Sequence, residues 1–197
     1  MSHYFSERPY YSKLRVRKIQ VTIRGRVFEF VTAPGVFSPK YVDAGTLLLA
    51  ESMVLRDGVT VLDLGCGYGV LGIVYAKLCP GSTVYMVDVN EQSLHLAKLN
   101  AKINNVKNVK IKKSDLYSNI DDLMFDVVVC NPPVSAGLDL NYRLIEETWR
   151  HLKDGGIFQV VYPLKMSDRF EEKLRQHFRK VETLARTGTH RVLLAEK

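Results

Sequence analysis

The sequence is poor in cysteine and has no long apolar run. Its three cysteines are an odd number with neither zinc-ligand spacing nor a disulfide-scaffold pattern, so we expect Cys66, Cys79 and Cys130 to be small buried residues. No apolar stretch approaches the roughly 20 residues that span a bilayer, and residues 1–8 lack the apolar core of a signal peptide. The five histidines include no i, i+3 or i, i+4 pair, which argues against a metal site. We therefore expect a cytoplasmic protein without disulfides or metal.

The sequence has fewer acidic than basic residues: 21 Asp and Glu against 28 Lys and Arg, a net charge of +7. This favours a polyanionic partner such as RNA, although 25% charged residues is ordinary for a globular protein. Basic residues crowd three stretches, near the N-terminus, around Lys110 and near the C-terminus. The first alternates with apolar residues, which predicts a basic β-hairpin extension over residues 1–32, turning near Arg24-Gly25. The arginines expected to contact RNA are Arg15, Arg17, Arg24 and Arg26.

Beyond residue 32, strand and helix patterns alternate. The predicted strands are 60–64, 83–88, 109–112, 125–130, 156–162, 181–185 and 191–195, and the predicted helices are 41–55, 70–78, 91–104, 139–152 and 168–177. Asn90 is a plausible N-cap for the third helix. This order predicts an α/β domain over residues 33–197, with helices on both faces of a mostly parallel sheet and one antiparallel strand at its end.

A glycine-rich turn joins the strand 60–64 to the helix 70–78. Gly65, Gly67 and Gly69 are separated by single residues. Glycine lets the backbone approach a ligand closely, and the N-terminus of the following helix offers free N–H groups. The turn is therefore a candidate ligand-binding loop.

The same stretch also fits a dinucleotide fingerprint. The segment 67–72 matches G-x-G-x-x-G, and Asp88 lies about 20 residues further on. In dinucleotide folds the first of these glycines closes the strand, whereas here Gly65 closes it. Asp63, two residues earlier, would repel a pyrophosphate and suits a cationic ligand. The dinucleotide interpretation is therefore the less favoured one.

The strand 125–130 ends in Asn131-Pro132-Pro133-Val134. Each proline holds the residue before it in an extended conformation. The side-chain oxygen of Asn131 and the backbone oxygen of Pro132 are thus presented at the carboxyl end of a strand, where open α/β sheets bind ligands. Two such acceptors suit both hydrogens of a planar NH2 group and turn its lone pair toward an electrophile, as N-methylation requires. The alternative is that the prolines merely stop the strand.

Together these residues resemble the class I S-adenosylmethionine-dependent methyltransferases, which implies a Rossmann-like sheet. In that resemblance 61–69 is the loop around the methionine part of the cofactor. Asp88 matches the acid that binds the ribose hydroxyls, Asp115 lies beside the adenine, and 131–134 is the motif of the amino-methylating branch.

Two upstream segments, 34–38 and 43–46, are similar to a narrower group. This group is the small-domain methyltransferases that modify guanine N2 in small-subunit ribosomal RNA, and in it the Asp-x-Gly-Thr segment lies against the cofactor. The resemblance covers roughly residues 28 to 197; the two-domain bacterial members carry an additional N-terminal domain. The implied cofactor-binding residues are Asp43, Gly45, Thr46, Asp63, Gly65, Gly67, Gly69, Asp88, Val89, Asp115, Leu116 and Asn131.

One residue departs from the family pattern. Many base-modifying members carry an aromatic residue where this sequence has Val134, and stacking on a base is worth ~1–3 kcal/mol. Phe37, Tyr142 and Tyr162 are candidates to replace it. Otherwise the substrate is not a base.

The expected function is N-methylation of a nucleobase in RNA, most plausibly guanine N2 of ribosomal RNA, free or in a ribosomal particle. Asn131 and Pro132 would be catalytic, and Pro133, Val134 and Phe37 would contact the substrate. Adenine N6 and a protein glutamine amide fit the same acceptors. A non-catalytic RNA-binding module is the alternative of another class, and the intact acids Asp63 and Asp88 argue against it.

Overall fold

Two antiparallel strands open the part of the chain that the computed structural model describes, residues 16–197. They are β1 (Arg17–Ile23) and β2 (Arg26–Thr32). The two residues between them, Arg24 and Gly25, have φ of 50° and 71°, as a tight two-residue hairpin turn requires. The hairpin predicted from the alternation is confirmed. Arg15 lies outside the described residues.

The rest of the chain alternates between helices and strands. The helices are α1 (Ala44–Ser52), α2 (Val70–Leu78), α3 (Glu91–Ile103), α4 (Leu138–His151) and α5 (Leu164–Arg175). The strands are β3 (Thr60–Leu64), β4 (Thr83–Asp88), β5 (Val109–Lys113), β6 (Phe125–Cys130), β7 (Leu152–Pro163), β8 (Lys180–Arg186) and β9 (His190–Glu196).

Strands β3 to β9 form one sheet in the order β5-β4-β3-β6-β7-β9-β8. Strand β9 is antiparallel to β7 and β8, and every other neighbouring pair is parallel. The predicted Rossmann-like sheet with one antiparallel strand is therefore confirmed. The chain moves outward from β3 to β5 and then returns to the other side of β3 as β6. The carboxyl ends of β3 and β6 thus form the switch point at which open sheets bind ligands.

Both faces of the sheet are buried at its centre, where β3 and β6 are nearly continuous apolar runs. On β6, Val127 and Val129 pack into one hydrophobic core and Val128 into the other. The first core contains residues of α1, α2 and α3, and the second contains residues of α4 and α5. Helices therefore cover both faces, as predicted.

The hairpin shares the first of these cores. Ile23, Phe28 and Phe30 are almost completely buried and belong to the same cluster as α1, α2 and α3. The apolar face of the hairpin β1–β2 is thus packed on the α/β part of the chain.

Two asparagines on α3 hold the hairpin by imitating a neighbouring β-strand. Asn100 accepts a hydrogen bond from Val31 N (2.7 Å) and donates to Val31 O (2.9 Å). Asn104, one helical turn on, makes the same pair of bonds with the backbone of Glu29 (3.1 and 2.7 Å). Alternate residues of the exposed edge of β2 thus find the partners that another strand would offer. Asn100 also donates to Tyr68 O (2.8 Å), which ties the hairpin to the glycine-rich turn.

Helix α1 is shorter than the predicted 41–55. Asp43 is its N-cap and accepts from the N–H groups of Gly45 and Thr46. Its C-terminal end is set by Gln159 on β7, whose side chain accepts from Val54 N (2.6 Å) and donates to Val54 O (3.0 Å). This pairing across the fold holds the chain extended after Ser52.

Two other boundaries differ from the prediction. Strand β7 begins at Leu152, which pairs with Phe125, four residues before the predicted start. Helix α5 begins at Leu164, immediately after Pro163, rather than at residue 168. The Asn90 cap is confirmed: its side chain accepts from Gln92 N at 2.9 Å.

We expect Asn100→Ala to lower the free energy of unfolding by about 2–4 kcal/mol, since each buried polar group left without a partner costs ~1–3 kcal/mol. The groups that would lose their hydrogen-bond partner are the backbone N–H and carbonyl of Val31 and the carbonyl of Tyr68. Urea unfolding followed by circular dichroism measures the change. The control is Lys98→Ala on the exposed face of α3, where a change within about 0.5 kcal/mol is expected. Equal stabilities of the two variants would contradict the strand-imitating role.

Candidate active site

A cleft of about 320 Å³ opens at the carboxyl ends of β3, β4 and β6. Its volume lies in the range of small-molecule sites. The segment before α1 and the loop after β5 complete its walls. Of the predicted site residues, those that line it are Phe37, Asp43, Thr46, Asp63, Gly65, Gly67, Asp88, Val89, Asp115, Leu116, Asn131, Pro132 and Pro133.

The glycine-rich turn contributes an open backbone wall. Gly65 and Gly67 have φ of 74° and 55°, a region that favours glycine. A Cβ built on either would meet no atom within 4 Å. Both glycines therefore serve the turn and leave space beside the backbone for a ligand.

Two predicted cofactor contacts lie away from the cleft. Gly69 has φ of 100°, and a Cβ there would come within 2.8 Å of Met86 Cε, so this glycine allows α2 to pack closely on β4. A Cβ on Gly45 would lie 3.0 Å from His190 Cδ2. Gly45 thus allows the ring of His190 to approach α1. Neither glycine lines the cleft.

Asp63 lies at the floor of the cleft and is 1% exposed. Its Oδ2 accepts from Gly72 N at 2.8 Å, whereas its Oδ1 is buried without a hydrogen-bond partner in the part of the chain that the structure describes. Burial raises the pKa of Asp63 to about 7; the Gly72 hydrogen bond opposes this shift and the charge of Asp88 adds to it. A buried, unpartnered carboxylate oxygen suits a cationic group of a ligand.

Asp88, at the end of β4, is held by two backbone hydrogen bonds. Its Oδ2 accepts from Gly67 N and its Oδ1 from Asn90 N, both at 2.8 Å. A carboxylate has about four acceptor positions, so each oxygen retains capacity for a hydroxyl in the cleft. The β4 end, the glycine turn and the start of α3 are thereby fixed to one another.

Asn131 has its amide orientation set by two side chains of the segment that starts α1. Its Nδ2 donates to Asp43 Oδ2 (3.1 Å) and to Thr46 Oγ1 (2.8 Å). Because a carboxylate only accepts, the NH2 end must face Asp43, and Oδ1 is left as the acceptor for a ligand. Both partners are more than 80 residues away in sequence. The sequence placed Asp43 and Thr46 near the cofactor but did not reveal that they hold Asn131.

The second predicted acceptor, the carbonyl of Pro132, is also held by a hydrogen bond inside the protein. It accepts from Val134 N at 2.9 Å, which leaves one lone pair for a ligand. Val134 begins a single 3₁₀ turn, Val134–Ala136, is partly buried against the core beneath α4 and α5, and does not line the cleft. Pro133 is at the rim.

Of the three aromatic candidates, Phe37 is the one that lines the cleft, and it is 63% exposed. Tyr162 is fully buried and stacks on Phe170 with 4.0 Å between ring centroids. Tyr142 contacts Phe170 edge-on, and Lys173 lies over its ring. Phe37 is therefore the aromatic side chain able to cover a planar substrate.

The loop after β5 forms the far wall. Asp115 pairs with Arg143 on α4 at 3.0 Å, and Leu116 has φ of 46°. Both line the same cleft as Asp88; Asp115 is the residue predicted to lie beside the adenine, and Leu116 was predicted to bind the cofactor.

Arg24, one of the arginines predicted to contact RNA, makes hydrogen bonds within the fold. Its guanidinium donates to Ala50 O (2.8 Å) and to Met53 O, which closes the C-terminal end of α1. These two bonds hold the guanidinium at the end of α1, and the RNA contact of Arg24 stays a prediction. Arg17 and Arg26 lie on the hairpin and do not line the cleft.

Several cleft residues were not predicted from the sequence, among them Ser93, Ser114 and Leu140. Ser114 directly follows β5, so the rule that ligands bind at carboxyl ends of strands would have found it. Leu140 comes from α4, and nothing in the sequence places that helix over the cleft.

The three cysteines are buried and free, as predicted. Cys66 and Cys130 line the cleft, and burial raises the pKa of both thiols well above the ordinary value. Within residues 16–197, no three His, Cys, Asp or Glu side chains are grouped as metal ligands. In the same range, no helix is long and apolar enough to cross a membrane.

Comparison with known proteins places the chain among the methyltransferases. It matches the family described as methyltransferase small domain over residues 27–194. The YbxB protein of Bacillus subtilis is 35% identical over 99% of this chain and 98% of its own length. The ribosomal RNA small subunit methyltransferase C of Haemophilus influenzae is also 35% identical, over 81% of this chain and 48% of that enzyme.

A solved structure agrees with this assignment. The 16S rRNA N2 G1207 methyltransferase of Thermus thermophilus, in complex with AdoMet and guanosine, superimposes with a TM-score of 0.83 at 30% identity. The superposition covers 92% of this chain and 50% of that one. The chain thus spans about half the length of these two enzymes. The resemblance predicted from the motifs is confirmed: the chain belongs to the methyltransferase small-domain family.

Proposed function

We propose that this protein is an S-adenosylmethionine-dependent methyltransferase that methylates the exocyclic N2 amino group of guanine in ribosomal RNA. The observation that carries the proposal is the fixed pair of acceptors at the end of β6, the Oδ1 of Asn131 and the carbonyl of Pro132. The names of the Haemophilus and Thermus relatives support the nucleobase and the RNA.

The cleft fits the cofactor. Asp63 offers a buried, unpartnered oxygen for its amino group, and Gly65 and Gly67 leave open space beside the backbone. Asp88 retains lone pairs for the ribose hydroxyls, and Asp115 stands at the end where the adenine would lie. Bound S-adenosylmethionine supplies an electrophilic methyl group on a sulfonium.

The substrate amino group is oriented by the two acceptors. Each accepts one N–H, so the nitrogen lone pair points along the remaining direction, into the cleft. As positive charge develops on the nitrogen, both acceptors interact with it more strongly, which stabilises the transition state more than the ground state. The rest of the rate comes from holding the reactants together in alignment. The surplus proton is acidic on the methylated nitrogen and leaves to solvent, so no side chain need act as a base.

Phe37 supports a nucleobase as the substrate. Its ring is mostly exposed at the cleft, where it can stack on a base. It would thereby take the place of the aromatic residue that many base-modifying members carry at the position of Val134. Stacking on an aromatic side chain contributes ~1–3 kcal/mol per base. Adenine N6 and protein glutamine would use the same acceptors and are distinguished by experiment.

Product identification tests the function. The protein is incubated with methyl-labelled cofactor and small-subunit ribosomal RNA, either free or in the small ribosomal particle, and the RNA is digested to nucleosides. Mass spectrometry should find N2-methylguanosine. Label in N6-methyladenosine or in a protein glutamine would overturn the guanine assignment, and no label with any of these acceptors would overturn the enzyme assignment.

We expect Asn131→Ala to lower the single-turnover rate by a factor of about 100 or more, because it removes an interaction made mainly in the transition state. Cofactor affinity should stay within a few-fold, since Asp63 and Asp88 are untouched. Rapid-quench kinetics and calorimetry measure the two quantities. Asn119→Ala, an exposed asparagine away from the cleft, is the matched control. A near-normal rate for Asn131→Ala would remove Asn131 from the mechanism.

Cofactor affinity should depend on pH through Asp63. Its carboxyl is mostly protonated below pH 7 and ionised above it, because burial raises its pKa to about 7. A cationic amino group binds the ionised form, so binding below that pH must release a proton. Affinity is therefore full above about pH 7 and weakens as the pH falls, by at most about tenfold per unit.

Calorimetry between about pH 5.5 and 7, in buffers of different ionisation enthalpy, measures both the affinity and the proton released. In Asp63→Asn the group cannot titrate, so the profile should be flat and the affinity low throughout. A flat profile with the unmutated protein would show that Asp63 does not meet the cationic end of the cofactor.

A further inference from the structure

The two sides of Asn131 differ in charge. On the β3–β4 side, the cleft presents Asp63, Asp88 and Asp115. Two cations at that end are paired with acids, Arg143 with Asp115 at 3.0 Å and Lys113 with Glu91 at 2.7 Å, and Lys112 donates to the carbonyl of Asn119. This is the proposed cofactor side. A substrate must therefore reach Asn131 from the opposite side, over the carboxyl ends of β7 and its neighbours.

Strand pairing and packing contacts show which segments lie on that opposite side. Pro163, the last residue of β7, pairs with His190, the first of β9, and Leu164 N donates to Thr189 O at 2.8 Å. The ring of His190 packs over Gly45, two residues from the Asp43 carboxylate that holds Asn131. The turn between β8 and β9 and the start of α5 are thus beside the proposed catalytic amide.

Cationic side chains are exposed there without partners. Lys165 is the second residue of α5, Arg169 lies one turn further along the same face, and Arg186 ends β8. Lys40 lies in the segment that leads to α1. All four are exposed, and residues 16–197 give none of them an ion pair or hydrogen bond. Arg191, in contrast, is neutralised by Asp168 and Glu171.

The segment with Lys40 also carries exposed aromatic rings. Phe37 and Tyr41 are 63% and 65% exposed, and they stand on either side of Lys40 in sequence. Aromatic faces interleaved with cations are the arrangement that binds single-stranded nucleic acid, since bases stack while phosphates are neutralised. This favours an RNA strand over other polyanions.

The other basic stretches are less suited to this contact. The hairpin turn lies at the C-terminal end of α1, about 13 Å from the Asp43 end for a helix of nine residues. The C-terminal stretch is compensated by ion pairs, which are Lys173 with Glu146, Arg175 with Glu171, Arg179 with Glu196 and Lys180 with Glu182.

We propose that Lys40, Lys165, Arg169 and Arg186, the carboxyl-edge cluster, bind the phosphates of the substrate RNA strand. The RNA would cross the carboxyl ends of β7 and β8 and the amino end of β9 as a single strand, with its bases turned toward Phe37 and Asn131. This inference rests on the proposed function and names the surface that delivers the RNA to the site.

Salt-dependent RNA binding tests the cluster. The probe is a fluorescently labelled single-stranded transcript from small-subunit ribosomal RNA, and Kd is measured by anisotropy at several salt concentrations. The test variant combines Lys40→Gln, Lys165→Gln and Arg186→Gln. The matched control removes the same charge from α3 and the turn after it, as Lys98→Gln, Lys102→Gln and Lys107→Gln, all exposed. A third variant, Arg17→Gln with Arg26→Gln, tests the hairpin.

Three lost phosphate contacts should reduce the slope of log affinity against log salt by about 2, since each contact to a single strand contributes ~0.7. Affinity at low salt should fall at least tenfold in the test variant, and the KM for RNA should rise with kcat and cofactor affinity retained. The lysine control and the hairpin variant should stay within about threefold of the unmutated protein.

Equal losses in the test variant and the lysine control, or a larger loss in the hairpin variant, would overturn the proposed surface while RNA methylation stands. If the unmutated protein binds cofactor but neither binds nor methylates RNA, the proposed function fails, and the surface with it. Unchanged RNA binding in the test variant would also overturn the cluster.

Discussion

One carboxylate oxygen organises the proposed catalytic end of this fold. Oδ2 of Asp43 accepts from Gly45 N (3.0 Å), Thr46 N (3.1 Å) and Asn131 Nδ2 (3.1 Å). The first two bonds start α1, and the third sets the amide of Asn131. Because one atom does both, the helix cannot begin elsewhere without releasing the amide. An amide that is free to rotate would present its NH2 end to the substrate as often as its oxygen, and only the oxygen can accept a substrate hydrogen.

The division of the cleft follows from the strand order. Strand β3 lies between β4 and β6, so the cleft at the carboxyl end of β3 has β4 on one side and β6 on the other. Acids at the ends of β3 and β4 make one half suited to a cationic cofactor. The other half, bordered by β7, β9 and β8, carries the unpartnered cations that suit a phosphate backbone. Under the proposed function, this difference in charge would favour the cofactor on one side of Asn131 and the RNA phosphates on the other.

Local patterns predicted most of the fold because the sheet is buried on both faces. The central strands β3 and β6 are short apolar runs, and the turns that separate the strands are rich in glycine or polar residues, so the existence and order of the strands could be predicted directly. The N-cap at Asn90 and the hairpin turn at Arg24-Gly25 are also local. What could not be read are contacts between distant residues. Gln159 ends α1 by pairing with Val54, 105 positions away, and no local signal reveals that.

The candidate site likewise combines features that the local sequence predicts with contacts between distant residues that it does not. The spacing of the glycines predicted a ligand-binding loop. A glycine, however, can be required either because a ligand approaches the backbone or because another side chain of the protein packs against it. Gly65 and Gly67 face the cleft, whereas Gly69 faces Met86 and Gly45 faces His190. Arg24 shows a similar ambiguity, since a basic residue in a hairpin turn can bind phosphate or close a helix. In each case the neighbour across the fold decides, and the sequence does not name it.

Asp63 illustrates why a binding site departs from the rules that stabilise a core. A buried carboxyl with one unpartnered oxygen is unfavourable, and burial holds it near half-protonation at neutral pH. Replacing it with an apolar residue would remove that cost and would also remove the partner for a cationic ligand. The hydrogen bond from Gly72 supports the ionised form only in part. A cationic group of the cofactor would complete the pairing, so the unfavourable burial of Asp63 would be offset when the cofactor binds.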